Sequence, residues 1–281
     1  MKVSIIGLGL IGGSFALALK KRLESIEVFG WDNSTAHLEE AKRLGIIDVA
    51  ANSMEEAVLA GDWVILAIPV HAIESILPTC LELLQAHQTL VDFGSSKQLI
   101  CEAADQHPNR GQFIAAHPIA GTEYSGPGAA FANLYEDKVM IVCDAGKTEE
   151  KRLTEFRQLC KMVGMESRHL SAAEHDVHLA YVSHLSHVIA FGLSNTVLEK
   201  EQNDAHILDL AGSGFASTVR LAKSSPDMWT PIFQKNRKAI LESLDHYLQH
   251  LNEFRQMLDT DDRESIHNFL IKGREIRKIL K

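Results

Sequence analysis

Apolar positions in the first half of the chain fall in short β-branched runs. Val3 to Ile6, Glu27 to Trp31, Trp63 to Ile68, Thr89 to Phe93, Gln112 to Ala116 and Lys138 to Cys143 read as strands. Between them, apolar residues at helical spacing predict helices over Gly12–Arg22, Thr35–Leu44, Met54–Ala60, Ala72–Leu84 and Gln98–Asp105. A helix over Thr148–Val163 and a short strand at Glu166–His169 complete this half. Strands alternating with helices predict a mostly parallel, doubly wound sheet of the Rossmann type, covered on both faces. The pattern changes at Ser171, where Ser171-Ala-Ala-Glu174 has capping-box spacing and opens a long helix to about Lys200. Beyond it, Leu208–Lys223, Pro231–Leu258 and Arg263–Leu280 carry helical periodicity only. We therefore expect an α/β domain over 1–170 and an all-helical domain over 171–281.

With 281 residues and 46% hydrophobic composition the chain has ample material for folded cores, and a net charge of -9 argues against a nucleic-acid or anionic-membrane surface. Cys80, Cys101, Cys143 and Cys160 lack C-x-x-C spacing and sit in apolar or helical stretches, as reduced thiols of a cytoplasmic protein do. Lys2 followed by an apolar run to Leu19 superficially resembles a secretory signal, but its removal would leave Asp32 without a loop to work with. No other segment approaches the ~20 uninterrupted apolar residues of a membrane span.

Gly7-Leu8-Gly9-Leu10-Ile11-Gly12 follows an apolar strand and leads into an apolar helix, the context that gives G-x-G-x-x-G its meaning. Gly7 permits the tight turn, Gly9 the approach of a pyrophosphate, and Gly12 close helix-to-strand packing. The helix start, with Leu10 and Ile11, offers unpaired N–H groups to the phosphates. Asp32, 20 residues beyond Gly12, suits the ribose hydroxyls, and Asn33, Ser34 and Thr35 bring no Lys or Arg for a 2′-phosphate. NAD is the expected cofactor. Ala67-Ile68-Pro69 ends a mid-sheet strand facing the same crevice, although an ordinary strand terminator would look the same.

Two further segments leave strand ends toward that crevice: Asp92-Phe-Gly-Ser-Ser-Lys97 and Ala116-His-Pro-Ile-Ala-Gly-Thr-Glu123. Taken with G-L-G-L-I-G-G-S, H-P-I-A-G-T-E-Y-S-G, Y-V-S-H-L-S-H and T-V-R-L-A-K-S-S-P-D-M-W, they make a chain that resembles, over almost its whole length, the prephenate/arogenate dehydrogenase family of tyrosine biosynthesis. The resemblance implies an oxidoreductase in which NAD+ takes hydride from a ring carbon bearing a hydroxyl while a ring carboxylate leaves as CO2. It assigns His117 as the base for the hydroxyl proton, a task that suits imidazole. Ser95 matches a serine near the same hydroxyl, from which it would orient His117. Glu123 matches a glutamate at the mouth of the site, His187 a ligand of the side-chain carboxylate with His184 close by, and Arg220 a carboxylate-gripping arginine. The family also implies a homodimer through the helical domain.

Each residue also has a plainer reading: a core histidine for His117, helix capping for Ser95, a surface carboxylate for Glu123, and a partly buried ion pair with Asp209 or Glu242 for Arg220. His184 and His187 share a helix face with His178 nearby, yet no cysteine or carboxylate completes a zinc set, so no metal is expected. Ala216-Ser217 stands where family members often carry Arg-Asp. Neither prephenate nor arogenate is singled out by these residues, although His187 tilts the balance to prephenate. A 3-hydroxy-acid or imine dehydrogenase would place a catalytic lysine on the interdomain helix, where the chain has histidines. A non-catalytic NAD sensor would need no converging polar groups.

Overall fold

The structure is a computed structural model that describes residues 1–122, 124–204 and 206–280. Eight strands form one sheet in the order β3-β2-β1-β4-β5-β6-β7-β8, with β1 at Lys2–Ile6, β2 at Glu27–Trp31, β3 at Val49–Ala50, β4 at Trp63–Leu66, β5 at Thr89–Asp92, β6 at Phe113–Pro118, β7 at Lys138–Cys143 and β8 at Met165–Leu170. Every pairing is parallel except β6 with β7, where His117 lies opposite Ile141. The two-residue β3 had no signal in the sequence, because two positions cannot display an alternation.

Along β4, Trp63 and Ile65 point into one core while Val64 and Leu66 point into another. The first core lies under α1 (Leu10–Arg22) and α6 (Glu150–Met162). The second lies under α3 (Met54–Ala60), α4 (Val70–Leu83) and α5 (Gln98–Asp105). Such two-sided burial explains why the strands read as unbroken apolar runs. The remaining helix of this half, α2 (Thr35–Arg43), follows β2.

Ser171 and Glu174 form the expected capping box at the start of α7 (Ala172–Leu179). The long helix then widens into a π-turn at Ala180–His184 before continuing as α8 (Leu185–Asn203). The expected helix over Leu208–Lys223 is instead a 3-10 turn, the short α9 (Ser213–Thr218) and a second 3-10 turn at Arg220–Lys223. The helix expected from Pro231 begins at Pro226, ends at Lys235 as α10, and restarts as α11 (Arg237–Asp259), followed by α12 (Arg263–Arg274). Trp229 and Ile232 of α10 join the second core, so the helical half docks on that face of the sheet. Its own buried cluster is small, centred on Ala180, Ala239 and Ile240.

Because β1, β2, β4, β5 and β6 are mutually parallel, their C-terminal ends share one edge of the sheet. The loops carrying the glycines, Asp32, Pro69, Ser95 and His117 therefore meet there. Gly7 holds φ +97°, and a Cβ there would lie 2.4 Å from the Ala67 carbonyl oxygen. A Cβ on Gly12 would lie 2.1 Å from the Gly7 oxygen, whereas one on Gly9 would meet nothing within 4 Å. Gly12→Ala should therefore lose about 1–3 kcal/mol or more by overpacking. Gly9→Ala should leave stability unchanged, and the midpoints of thermal or urea unfolding check both.

Candidate active site

The glycine turn delivers α1 with its N-terminus free, since Gly9 at the cap contributes no side chain and the first turn holds no acid. Asp32 closes over the turn: Oδ2 accepts from the Leu8 amide at 2.9 Å and Oδ1 from the Ser34 amide at 2.9 Å. Both oxygens keep a lone pair for further donors. His37 Nδ1 stands 3.5 Å from Asp32 Oδ1, an ionisable neighbour that inspection of Asn33 to Thr35 missed. Pro69 caps α4, and Ala67 packs against Gly7 and Gly12, so this segment shapes the turn as well as flanking the crevice. The open space at Gly9 beside an uncapped helix start is a cradle of the kind a dinucleotide pyrophosphate needs.

Beside it, Lys97 is wholly buried and pairs with the equally buried Asp92 at the end of β5, while its Nζ also donates to the Ala116 carbonyl at 2.6 Å. That contact ties the β5 loop to the residue preceding His117. His117 lies near the end of β6, with Nδ1 2.9 Å from Nε2 of His175 on α7. His175 Nδ1 is 2.8 Å from Asp176 Oδ1. Burial first, then the neighbouring His175, Lys97 and His184, hold the His117 imidazole well below the ordinary value of 6.5, so the ring is neutral at neutral pH.

Ser95 was expected to orient His117, but no side-chain hydrogen bond joins them among the described residues; the ring's partner is His175. His175 and Asp176 were not singled out in the sequence. The signal available was their place one turn into a capped helix, where a buried polar pair needs a reason. Glu123 lies outside the described residues.

His184, expected beside the substrate, is buried at 1% exposure in the π-turn, with Nδ1 3.1 Å from the Asn236 amide nitrogen. Burial pushes its pKa down to about 4. Its geometry is that of a structural histidine. His187, one turn on, stacks on Trp229 with ring centroids 3.5 Å apart, and its Nδ1 lies 3.0 Å from the Ser183 carbonyl. A carbonyl only accepts, so Nδ1 carries the proton and the neutral ring presents a bare Nε2. Burial lowers the His187 pKa, the Ser183 carbonyl opposes that, and nearby Arg220 lowers it further. Trp229 is also buried, and its indole N–H has no acceptor among the described residues.

Arg220 corrects an expectation. Its apolar sequence neighbours predict partial burial within a helix, yet it opens a 3-10 turn, is exposed, and forms no ion pair with Asp209 or Glu242. Val219 and Leu221 flank it without covering it, because the turn does not present helical spacing. The guanidinium is close enough to His187 to act on its charge and is free to bind an anion.

The family model for the prephenate dehydrogenase nucleotide-binding domain matches residues 15–168, and that for the prephenate dehydrogenase dimerization domain matches residues 171–272. A prephenate dehydrogenase of Bacillus subtilis (strain 168) is 32% identical over 98% of this chain and 75% of its own length. A cyclohexadienyl dehydrogenase of Zymomonas mobilis is 31% identical over 99% of this chain and 96% of its own. Among solved structures, prephenate dehydrogenase from A. aeolicus in complex with hydroxyphenyl propionate and NAD+ superposes with a TM-score of 0.92 at 30% identity, covering 100% of this chain and 98% of that one. Two domain matches in order, relatives alike across nearly the full chain, and a shared fold make this protein a member of the prephenate dehydrogenase family.

Proposed function

We propose that the protein is an NAD-dependent prephenate dehydrogenase, converting prephenate to 4-hydroxyphenylpyruvate and CO2. The observation that carries this reading is the placing of a neutral His117, at the end of β6, on the sheet edge where the glycine turn opens. NAD+ when bound supplies the hydride acceptor. Gly7, Gly9, Leu10, Ile11 and Gly12 would cradle its pyrophosphate, Asp32 its ribose, and the Ala67-Ile68-Pro69 turn would flank it. His117 would take the hydroxyl proton as hydride leaves the same carbon, and loss of the ring carboxylate as CO2 makes the ring aromatic. Ser95 would hydrogen-bond near that hydroxyl. Arg220 would bind a substrate carboxylate through two N–H donors, as its free guanidinium allows.

His187 adds a condition. A carboxylate at Nε2 needs a donor there, so binding it draws a proton onto a ring that burial keeps neutral. An ammonium would instead donate to the bare Nε2. That tautomer, together with the cyclohexadienyl relative, supports a second reading in which arogenate is also turned over.

The helical half supports a homodimer: Leu241, Leu248 and Leu251 of α11 and Leu270 and Ile271 of α12 are exposed, more apolar surface than an isolated helical layer keeps in water. The described cysteines are all free and buried, which suits the reducing cytoplasm, and no described helix is long and apolar enough to cross a membrane.

The test is to follow NADH formation from NAD+ with prephenate or L-arogenate. Turnover of prephenate is expected, and no turnover of either sinks the reading. His117→Asn should lower kcat by about 10²–10⁴-fold with NAD+ affinity intact. Arg220→Ala should raise the prephenate KM about tenfold or more, by loss of a charge-assisted bond worth ~1.5–3 kcal/mol.

The two histidines give opposite pH effects. His117 works as the neutral base and its pKa is depressed, so kcat should persist through the ordinary imidazole range and fall only as pH drops through the lower value. Prephenate KM should rise with pH as the proton His187 must acquire becomes scarce. A pH series of initial rates separates the two.

A further inference from the structure

His175 is 0% exposed, so both ring nitrogens must find their partners within the protein. Asp176 takes the first. Its Oδ1 accepts from the Lys97 amide at 2.7 Å and its Oδ2 from the Gln98 amide at 2.9 Å, so both oxygens act as acceptors, and His175 Nδ1, 2.8 Å from Oδ1, must be the protonated nitrogen. Burial lowers the His175 pKa and Asp176 only partly offsets this, so the ring is neutral and its Nε2 is bare. That bare nitrogen lies 2.9 Å from His117 Nδ1. Two lone pairs would repel at this distance, so His117 carries its own proton on Nδ1.

We propose that His175, held by Asp176, is a positioning residue that fixes His117 in the Nδ1–H tautomer and so leaves the His117 Nε2 lone pair for the substrate hydroxyl. The role expected of Ser95 is thus performed from the helical half. When Nε2 gains a proton, the His117 Nδ1–H···His175 bond becomes charge-assisted, which favours the cation. The ionisable groups facing the pair are Lys97 from the β5–α5 connection, Asp176 and His178 on α7, and His184 in the π-turn. The inference rests on His117 being the base.

Two measurements test it on the full chain. Histidine 15N spectra of the wild-type protein near neutral pH, with His117 assigned by its loss in His117→Asn, should show Nδ1 protonated and Nε2 bare. The opposite tautomer overturns the proposal whatever the substrate. In kinetics, His175→Leu should lower kcat about 10²-fold or more, within the range expected of acid–base catalysis, at nearly unchanged KM. It should also displace the acidic limb of kcat, because the ring that contacts His117 Nδ1 and acts on its charge is gone. His175→Gln, whose amide oxygen replaces the lost acceptor, should recover at least about tenfold of that loss and return the limb toward the wild-type position. A wild-type limb in His175→Leu, or no recovery in a folded His175→Gln that still binds NAD+, refutes the role. If wild-type protein turns over neither prephenate nor arogenate, the proposed function fails while the tautomer is still read from the spectra.

Discussion

The carboxylate of Asp176 is the constraint on which both halves of the molecule depend. Helix α5 starts at the β5 loop with no capping side chain of its own, and Asp176, far along the chain on α7, accepts from its first free amides. A carboxylate at a helix N-terminus satisfies orphan donors and meets the positive end of the macrodipole. The same group fixes His175. On its backbone side, the Asp176 carbonyl accepts from Asn236 at 2.7 Å, and Asn236 in turn reaches His184. One residue thus joins the sheet edge, the long helix and the break between α10 and α11.

The architecture was legible in the sequence where burial is periodic. Val3 to Ile6, Trp63 to Leu66 and the glycine turn follow from alternation and backbone sterics alone, and the glycine contacts account for Gly7 and Gly12. Helical periodicity fails where a tertiary hydrogen bond interrupts a helix. Asn236 spends its side chain on Asp176 and His184, and there the chain changes course between two helices that periodicity reads as one. The π-turn at Ala180–His184 is equally silent, because an inserted residue alters neither composition nor hydropathy. It matters, since it resets the face on which His187 follows His175.

The candidate chemistry was legible as residue types and not as partnerships. Motif spacing singles out His117, His187 and Arg220 but cannot say which nitrogen of a ring is bare. That depends on the Ser183 carbonyl for His187 and on a neighbour 58 positions away for His117. Arg220 misled in the other direction: apolar neighbours in sequence imply burial only when the segment is a regular helix. Ser95 and His175 compete for one role, and local sequence favours the nearer candidate.

A protein of net charge -9 places a cation near each of the two histidines of this crevice. Buried Lys97 is balanced by Asp92 yet still acts on His117, and Arg220 does the same to His187. Burial keeps both histidines neutral and these cations add to it, and a dianionic ligand such as prephenate reverses the balance at His187, whose Nε2 must carry a proton to hold a carboxylate. His117 stays neutral and available as the base with substrate bound, and the carboxylate site gains its second cation on binding. Loss of CO2 then removes one of the two negative charges that the crevice was recruited to hold, so the monoanionic product interacts less strongly than the substrate. Charge alone therefore biases the site toward release after the step that makes the ring aromatic.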